Sequence, residues 1–136
     1  GDTTMIPLIR FATYKGIPVT ELLDKETLDK IVADTMVGGA TLTGLLGTSA
    51  WYAPGAAGAT VAEAIATDAK KLIPSCVYLE GEYGEEDICI GVPAVLGANG
   101  VEKIIDVKLN AEEKALFDKS VAAVRTMNAA LADVLK

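Results

Sequence analysis

Apolar residues recur every three or four positions between Asp24 and Leu46, a spacing that predicts one long amphipathic helix. The predicted apolar stripe consists of Leu28, Ile31, Val32, Thr35, Met36, Gly39 and Leu42. The pair Gly38-Gly39 lies in the middle of this helix, where each glycine is about 1 kcal/mol less favourable than alanine. We therefore expect either a kink or the close approach of another group to the backbone at this pair.

A second helix is predicted from about Ala50 to Thr67, with Ser49 as its N-cap and Pro54 in its first turn. Most of its residues are small: Ala53, Gly55, Ala56, Ala57, Gly58, Ala59, Ala62 and Ala66. Such a surface lets another helix or a cofactor come very near. The charges of Glu63 and Asp68 and the modest length exclude a membrane span.

The next third of the chain is rich in Val, Ile and Tyr and predicts three strands, at Leu72–Glu80, Ile88–Leu96 and Val101–Leu109. The connections between them are short, so neighbouring strands must be antiparallel. Asn99-Gly100 is a strong signal for a hairpin between the second and third strands. A three-stranded antiparallel sheet is therefore expected.

The two ends complete an α+β fold in which long helices pack on one face of the sheet. Thr4–Thr13 predicts a short edge strand or an extended segment, and Lys15–Pro18 a turn. Asn110, with Glu113 three residues later, predicts the start of a last helix that runs to the chain end and covers the sheet. Its apolar face is Leu116, Phe117, Val121, Val124, Met127, Leu131 and Leu135.

Composition narrows the class of protein. The net charge is −7, and the 12 basic residues are scattered, which argues against a nucleic-acid partner. No apolar run approaches a membrane span, and no signal peptide is visible. With two cysteines in a chain that can build a core, a disulfide scaffold is not expected, and a cytoplasmic protein fits best. Cys76 and Cys89 lie in apolar strand-like runs and are expected to be small buried hydrophobic residues. Structure is predicted directly after Gly1, which we interpret as a cut inside a domain.

The residues do not supply a self-contained active site. There is no histidine, the usual general base near neutral pH, and Ser49 has no evident partner. No glycine-rich motif opens a strand-to-helix unit, so no nucleotide-binding half is predicted, and no set of four zinc ligands is present. The acidic residues between the first two strands are interpreted as a solvated loop: Glu80, Glu82, Glu85, Glu86 and Asp87.

Three stretches together resemble the C-terminal half of the lactate/malate dehydrogenase family. Gly1–Leu8 is similar to the segment that follows the family's catalytic histidine. Gly47–Pro54, which reads GTSAWYAP, resembles a helix start of the family. Tyr78–Glu102 resembles its C-terminal sheet, including a Gly-Val-Pro and a Leu-Gly-x-x-Gly-Val-Glu hairpin. One departure is the run Thr3-Thr4-Met5, which is one residue longer than the commoner form of the family.

The resemblance implies a domain of an NAD-dependent enzyme that converts malate to oxaloacetate in the tricarboxylic acid cycle. It implies that the histidine directly precedes Gly1, that an N-terminal NAD-binding domain is missing from residues 1–136, and that this part alone is inactive. Ala40 and Ala50 match substrate-side positions, and Pro54 matches a neighbour of the nicotinamide ring. Asp2 is expected to orient the catalytic loop, and Arg10 to be structural or interfacial. A homo-oligomer is also expected.

Two alternatives remain at this point. In the first alternative, the substrate is lactate or another 2-hydroxy acid. This alternative stays open because the residue that selects the substrate lies outside this half of the family's chain. In the second alternative, the chain is a stand-alone interaction or dimerisation domain, since it lacks its own chemistry.

Overall fold

The computed structural model describes residues 4–134 and the side chains of residues 4–131. The expectations for Asp2 and for Leu135 fall outside these residues. The chain forms two compact units. The first comprises the chain up to Ala50 together with Ala111–Ser120, and the second comprises Trp51–Asn110 together with the chain from Val121 onward.

The first unit begins with irregular chain and a 3₁₀ turn at Ile9–Phe11. A minimal hairpin follows, formed by strands β1 (Thr13–Tyr14) and β2 (Ile17–Pro18), and helix α1 (Val19–Leu22) comes directly after it. The 3₁₀ turn interrupts the edge strand or extended segment predicted over Thr4–Thr13, whereas the predicted turn is present at residues 15 and 16. Helix α1 was not predicted, because four residues are too few to show a helical period.

Helix α2 (Lys25–Leu46) confirms the long predicted helix. It begins at Asp24, whose carboxylate accepts a hydrogen bond of 2.8 Å from the Thr27 amide. It ends at Gly47, which has a left-handed φ of 67° that a glycine adopts without strain. Of the predicted stripe, Leu28 alone is buried, and Ile31 and Leu42 stay more than 40% exposed. The described residues of this unit therefore leave most of the stripe uncovered.

The second unit is built on an antiparallel sheet in the order β3-β4-β5. Its strands are β3 (Lys71–Glu80), β4 (Glu86–Gly97) and β5 (Gly100–Ile104). The predicted antiparallel sheet is confirmed, although β5 ends five residues earlier than expected. The hairpin turn consists of Ala98 and Asn99, between paired glycines at 97 and 100, and it lies within the connection expected between Leu96 and Val101.

One face of the sheet forms the core of this unit. Alternate residues of β4 are buried, and they are joined by two from β3: Ile88, Ile90, Val92, Ala94, Leu96, Val77 and Leu79. The same alternation turns Cys76 and Cys89 to the other face, where both are exposed free thiols. The expectation that these cysteines are buried is therefore wrong.

Helix α3 (Tyr52–Ala66) lies against β4 and buries Ala64 to 1% exposure. Pro54 occupies its first turn, as predicted. The N-cap is Trp51 and makes no side-chain cap hydrogen bond, so the assignment of Ser49 as the cap is wrong. The helix begins two residues later than the small-residue pattern suggested.

Helix α4 (Ala111–Val134) starts directly after Asn110, as predicted. Its first ten residues belong to the first unit and the remainder to the second. In the first unit, the guanidinium group of Arg10 donates hydrogen bonds to both carboxylate oxygens of Glu113 in α4, at 3.1 and 2.7 Å. In the second unit Arg125 binds Glu85 at 2.9 Å. No helix described between residues 4 and 134 has the length and apolar character needed to cross a membrane.

Three charged side chains tie the entry of β3 to the β4–β5 hairpin. Lys70 lies 2.9 Å from Asp68 and 2.7 Å from Glu102. Asp68 also accepts a 2.8 Å hydrogen bond from the Ala98 amide, and Glu102 accepts one from the Asn99 amide. These bonds hold the pKa of Asp68 and of Glu102 below their ordinary values. We call this set the Asp68–Lys70–Glu102 cluster.

The cluster predicts a specific pH dependence. A carboxylate with a lowered pKa stabilises the fold above its unfolded pKa, 3.8 for Asp68 and 4.5 for Glu102, and loses that contribution as the pH falls through the lowered value. The double variant Asp68→Asn/Glu102→Gln should therefore show a flatter loss of stability below about pH 4.5. Urea denaturation of the full-length protein at several pH values measures this. Asp34→Asn, which removes one exposed carboxylate of α2, is the charge control, and identical acid profiles would contradict the prediction.

Gly97 predicts a second effect. A Cβ atom at this position would lie 2.6 Å from a carboxylate oxygen of Glu102 and 2.7 Å from one of Asp68. Gly97→Ala should therefore displace both carboxylates, and because they end flexible, partly exposed side chains, the loss of stability should be up to about 1 kcal/mol. Gly91→Ala in the same strand meets no atom within 4 Å and is the matched control. Equal urea midpoints for the two variants would show that the carboxylates of Asp68 and Glu102 can move aside without loss of stability.

Candidate functional site

The three residues predicted to face the ligand lie in one stretch without charge. From residue 35 to residue 62 the chain contains no Asp, Glu, Lys or Arg. This stretch comprises the second half of α2, the connection that follows it and most of α3. It is also rich in small side chains, and a Cβ atom at any of its six glycines would meet no described atom within 4 Å.

Several large apolar side chains of the charge-free stretch are exposed. Leu45 is 79% exposed, Trp51 70% and Tyr52 96%. Isolated exposed hydrophobic residues are normal on protein surfaces. Leu45 lies in the first unit, and Trp51 and Tyr52 lie in the second, so this exposure describes each unit separately.

The structure gives each predicted site residue a position. Ala40 is exposed on α2, one residue after the glycine pair. Ala50 is half-buried in the connection before α3, and Pro54 is exposed in the first turn of α3. Ala40 and Ala50 belong to the first unit and Pro54 to the second, so each is placed within its own unit. Their role in binding stays a prediction.

Helix α2 runs unbroken through Gly38 and Gly39. A Cβ atom at either glycine would meet no described atom within 4 Å. No described residue therefore makes the close approach that the sequence suggested. The open backbone beside Ala40 leaves room for an atom from outside the described residues.

Two cavities lie elsewhere. In the first unit an apolar cavity of about 240 Å³ lies between the entry segment, α1 and the start of α2, and it is lined by Pro7, Leu8, Ile9, Ala12, Val19, Leu23, Leu28, Ile31, Val32 and Thr35. In the second unit a shallow groove of about 550 Å³ runs along β3 and β5. Neither cavity is lined by Ala40, Ala50 or Pro54.

The acidic loop is more ordered than the sequence indicated. Glu82 accepts a hydrogen bond from the Glu80 amide, Glu85 pairs with Arg125, and Asp87 accepts one from the Tyr78 hydroxyl. Among residues 4–134 no three Cys, Asp, Glu or His side chains are grouped so as to hold a metal ion. These carboxylates therefore have structural partners.

Sequence reasoning missed one anchoring residue, Tyr83. It has a left-handed φ of 58°, and its hydroxyl donates to the Ile105 carbonyl at 2.6 Å and accepts from the Val107 amide at 3.1 Å. Burial raises the pKa of this hydroxyl. No sequence signal marks the contact, because its partners lie more than twenty residues away.

Comparison with known proteins decides the family. Residues 1–133 match the family described as lactate/malate dehydrogenase, alpha/beta C-terminal domain. The chain belongs to the lactate/malate dehydrogenase family. It is 68% identical over 134 residues to a malate dehydrogenase of Bacteroides thetaiotaomicron, a match that covers 98% of this chain and 43% of that protein.

Solved structures of the family share this fold. A malate dehydrogenase of Salinibacter ruber superposes with a TM-score of 0.93 at 46% identity, covering 96% of this chain and 43% of that one. A lactate dehydrogenase of Eimeria maxima, solved with NADH and oxamate, gives 0.92 at 39% identity, covering 98% and 43%. The chain thus spans less than half the length of these lactate/malate dehydrogenases, and the predicted α+β fold of their C-terminal domain is confirmed.

The open environment of Gly39 makes a testable prediction. Gly39→Ala should raise the stability of the full-length protein by up to about 1 kcal/mol, because alanine favours a helix interior and its Cβ meets no described atom. Gly44→Ala, in the same helix with equally open space, is the control. Urea denaturation measures both. A loss of stability with Gly39→Ala alone would reveal a neighbour outside the described residues in contact with this glycine.

Proposed function

We propose that this chain is the substrate-side domain of an NAD-dependent malate dehydrogenase, which converts malate and NAD to oxaloacetate and NADH. The observation that carries the proposal is the 68% identity to a malate dehydrogenase along almost the whole chain. A relative from Flavobacterium frigidimaris, also named malate dehydrogenase, is 66% identical over 135 residues and supports the same assignment.

The chemistry of the charge-free stretch fits a nicotinamide ring and a small substrate. Small side chains leave room for a flat ring, and residues 35–62 supply several of them without any charged side chain to desolvate. In this proposal the two carboxylates of malate are bound by groups outside this stretch. In this proposal Ala40 and Ala50 border the substrate, and Pro54 borders the nicotinamide. NAD, when bound, supplies the acceptor of the hydride. The part of these three residues is to shape the site and to exclude water.

The reacting groups are assigned to the rest of the enzyme. The proposal places the catalytic histidine in the segment that precedes Gly1, and the main NAD-binding surface in an N-terminal domain that partners this one. We further propose that the full-length protein is a homo-oligomer and lies in the cytoplasm. There it would oxidise malate as a step of the tricarboxylic acid cycle. Among the residues of this chain none is assigned a proton-transfer role, since it has no histidine.

The second candidate substrate is lactate, favoured by the 39% identity to the Eimeria maxima lactate dehydrogenase. The deciding experiment assays the full-length protein with malate and with lactate, each with NAD and with NADP. We expect kcat/KM to be highest for malate with NAD. Residues 1–136 purified alone should show no turnover. Turnover by this fragment would refute the assignment of the reacting groups to the rest of the enzyme. A full-length protein without dehydrogenase activity would favour a stand-alone interaction domain.

The role of Ala50 is tested by enlarging its side chain. Ala50→Leu adds three carbons beside the proposed substrate position. Because a displacement of about 1 Å can reduce hydride transfer on the order of a hundredfold, kcat/KM for malate should fall steeply. Ala50 is half-buried, so the stability loss should stay near the lower end of the 1–3 kcal/mol that is typical of overpacking, about 1 kcal/mol.

The readouts are the melting temperature, NADH affinity and malate kinetics of the full-length variant. Ala129→Leu, on an exposed position of α4, adds the same three carbons and serves as the control. Unchanged malate kinetics in Ala50→Leu would remove this residue from the site and leave it a packing role.

A further inference from the structure

The outer face of the sheet brings two thiols together. In the register of β3 and β4, Cys76 lies opposite Gly91 and Tyr78 lies opposite Cys89. No bulge separates these two pairs, because the register shift lies further along, between Leu79 and Glu80. Cys76 and Cys89 are therefore diagonal neighbours on one face, and both are exposed free cysteines.

The residue opposite Cys76 leaves space on this face. Gly91 lies opposite Cys76, and it follows Cys89 by two residues on the same face of β4. It has no side chain of its own. A Cβ atom built on Gly91 would meet no described atom within 4 Å. Tyr78, the remaining member of these two opposed pairs, donates its hydroxyl to Asp87, so Gly91 is the one position of the four that adds no side chain.

The separation of diagonal neighbours decides which bridge is feasible. Their Cα atoms are typically about 7–8 Å apart, whereas a disulfide, with an S–S bond of about 2.05 Å, needs them within about 6.8 Å. An ion between the sulfurs relaxes this limit. With metal–sulfur bonds of about 2.3 Å, a linear bridge holds the sulfurs roughly 4.6 Å apart.

We propose that Cys76 and Cys89, with the open space over Gly91, form a two-thiolate binding site for a soft, two-coordinate cation, of which copper(I) is the representative. Thiolates select soft ions. Zinc requires four ligands, and among the described residues no third Cys, Asp, Glu or His joins the pair to form a metal-binding group. Binding converts two thiols and one copper(I) into an anionic bis-thiolate complex and releases two protons, with no change in oxidation state.

The experiment follows each thiol separately in the full-length protein. Anaerobic protein is loaded with one equivalent of copper(I) or left metal-free, treated briefly with iodoacetamide, and digested for mass spectrometry. In the metal-free protein both cysteines should be alkylated, and in the loaded protein both should be protected together. Peptide-level readout separates this pair from any other cysteine of the longer chain.

Three variants test the geometry. Cys76→Ser should leave Cys89 alkylated at its metal-free rate, and Cys89→Ser should do the same for Cys76. Competition with a copper(I) chelator should show that each serine variant binds copper(I) at least about a hundredfold more weakly. Loss of a group that only hydrogen-bonds to a metal ligand already costs about 10–100-fold in affinity, and these variants lose a ligand itself. Gly91→Val keeps both thiols but fills the space between them, and should also abolish joint protection. Urea midpoints show whether each variant remains folded.

The proposal is overturned if either cysteine stays protected when the other is absent. It is equally overturned if copper(I) leaves both alkylation rates unchanged, or if neither thiol reacts in the folded metal-free protein, because the thiols would then be covered. Should Gly91→Val fail to fold, the two serine variants still decide the matter.

Discussion

Strand β4 carries five buried side chains on alternate positions and is hydrogen-bonded on both edges. A strand with side chains that alternate between two faces cannot shift by one residue without moving all five into solvent. The register of the whole sheet is fixed by this constraint. It also determines the outer face, where the cysteines and Gly91 meet, and it provides the surface against which α3 buries Ala64.

Much of this fold follows from local patterns in the sequence. Asp24 and Gly47 delimit α2 through a cap and a left-handed stop, and the Val- and Ile-rich runs define β3 and β4. The exposure of Cys89 was also predictable, because it alternates with the buried Ile88 and Ile90. Reading each apolar run as uniformly buried led to the wrong expectation for both cysteines.

Other features depend on contacts between residues that are distant in sequence. No local signal marks three of them: the N-cap of α3 at Trp51 in place of Ser49, the anchoring of Tyr83 and the Asp68–Lys70–Glu102 cluster. The candidate site differs again. Composition identifies the charge-free stretch, but the roles of Ala40, Ala50 and Pro54 come from resemblance to the family, since alanine and proline have no chemistry by which sequence alone reveals a ligand.

The distribution of charge along the chain has a consequence for whatever binds the charge-free stretch. All 31 ionisable Lys, Arg, Asp and Glu residues lie outside residues 35–62. Screening by salt acts on charged pairs, so the contribution of this stretch itself to an association should be nearly insensitive to ionic strength. It should instead weaken on cooling and show a negative heat-capacity change, the thermodynamic signature of apolar surface leaving water.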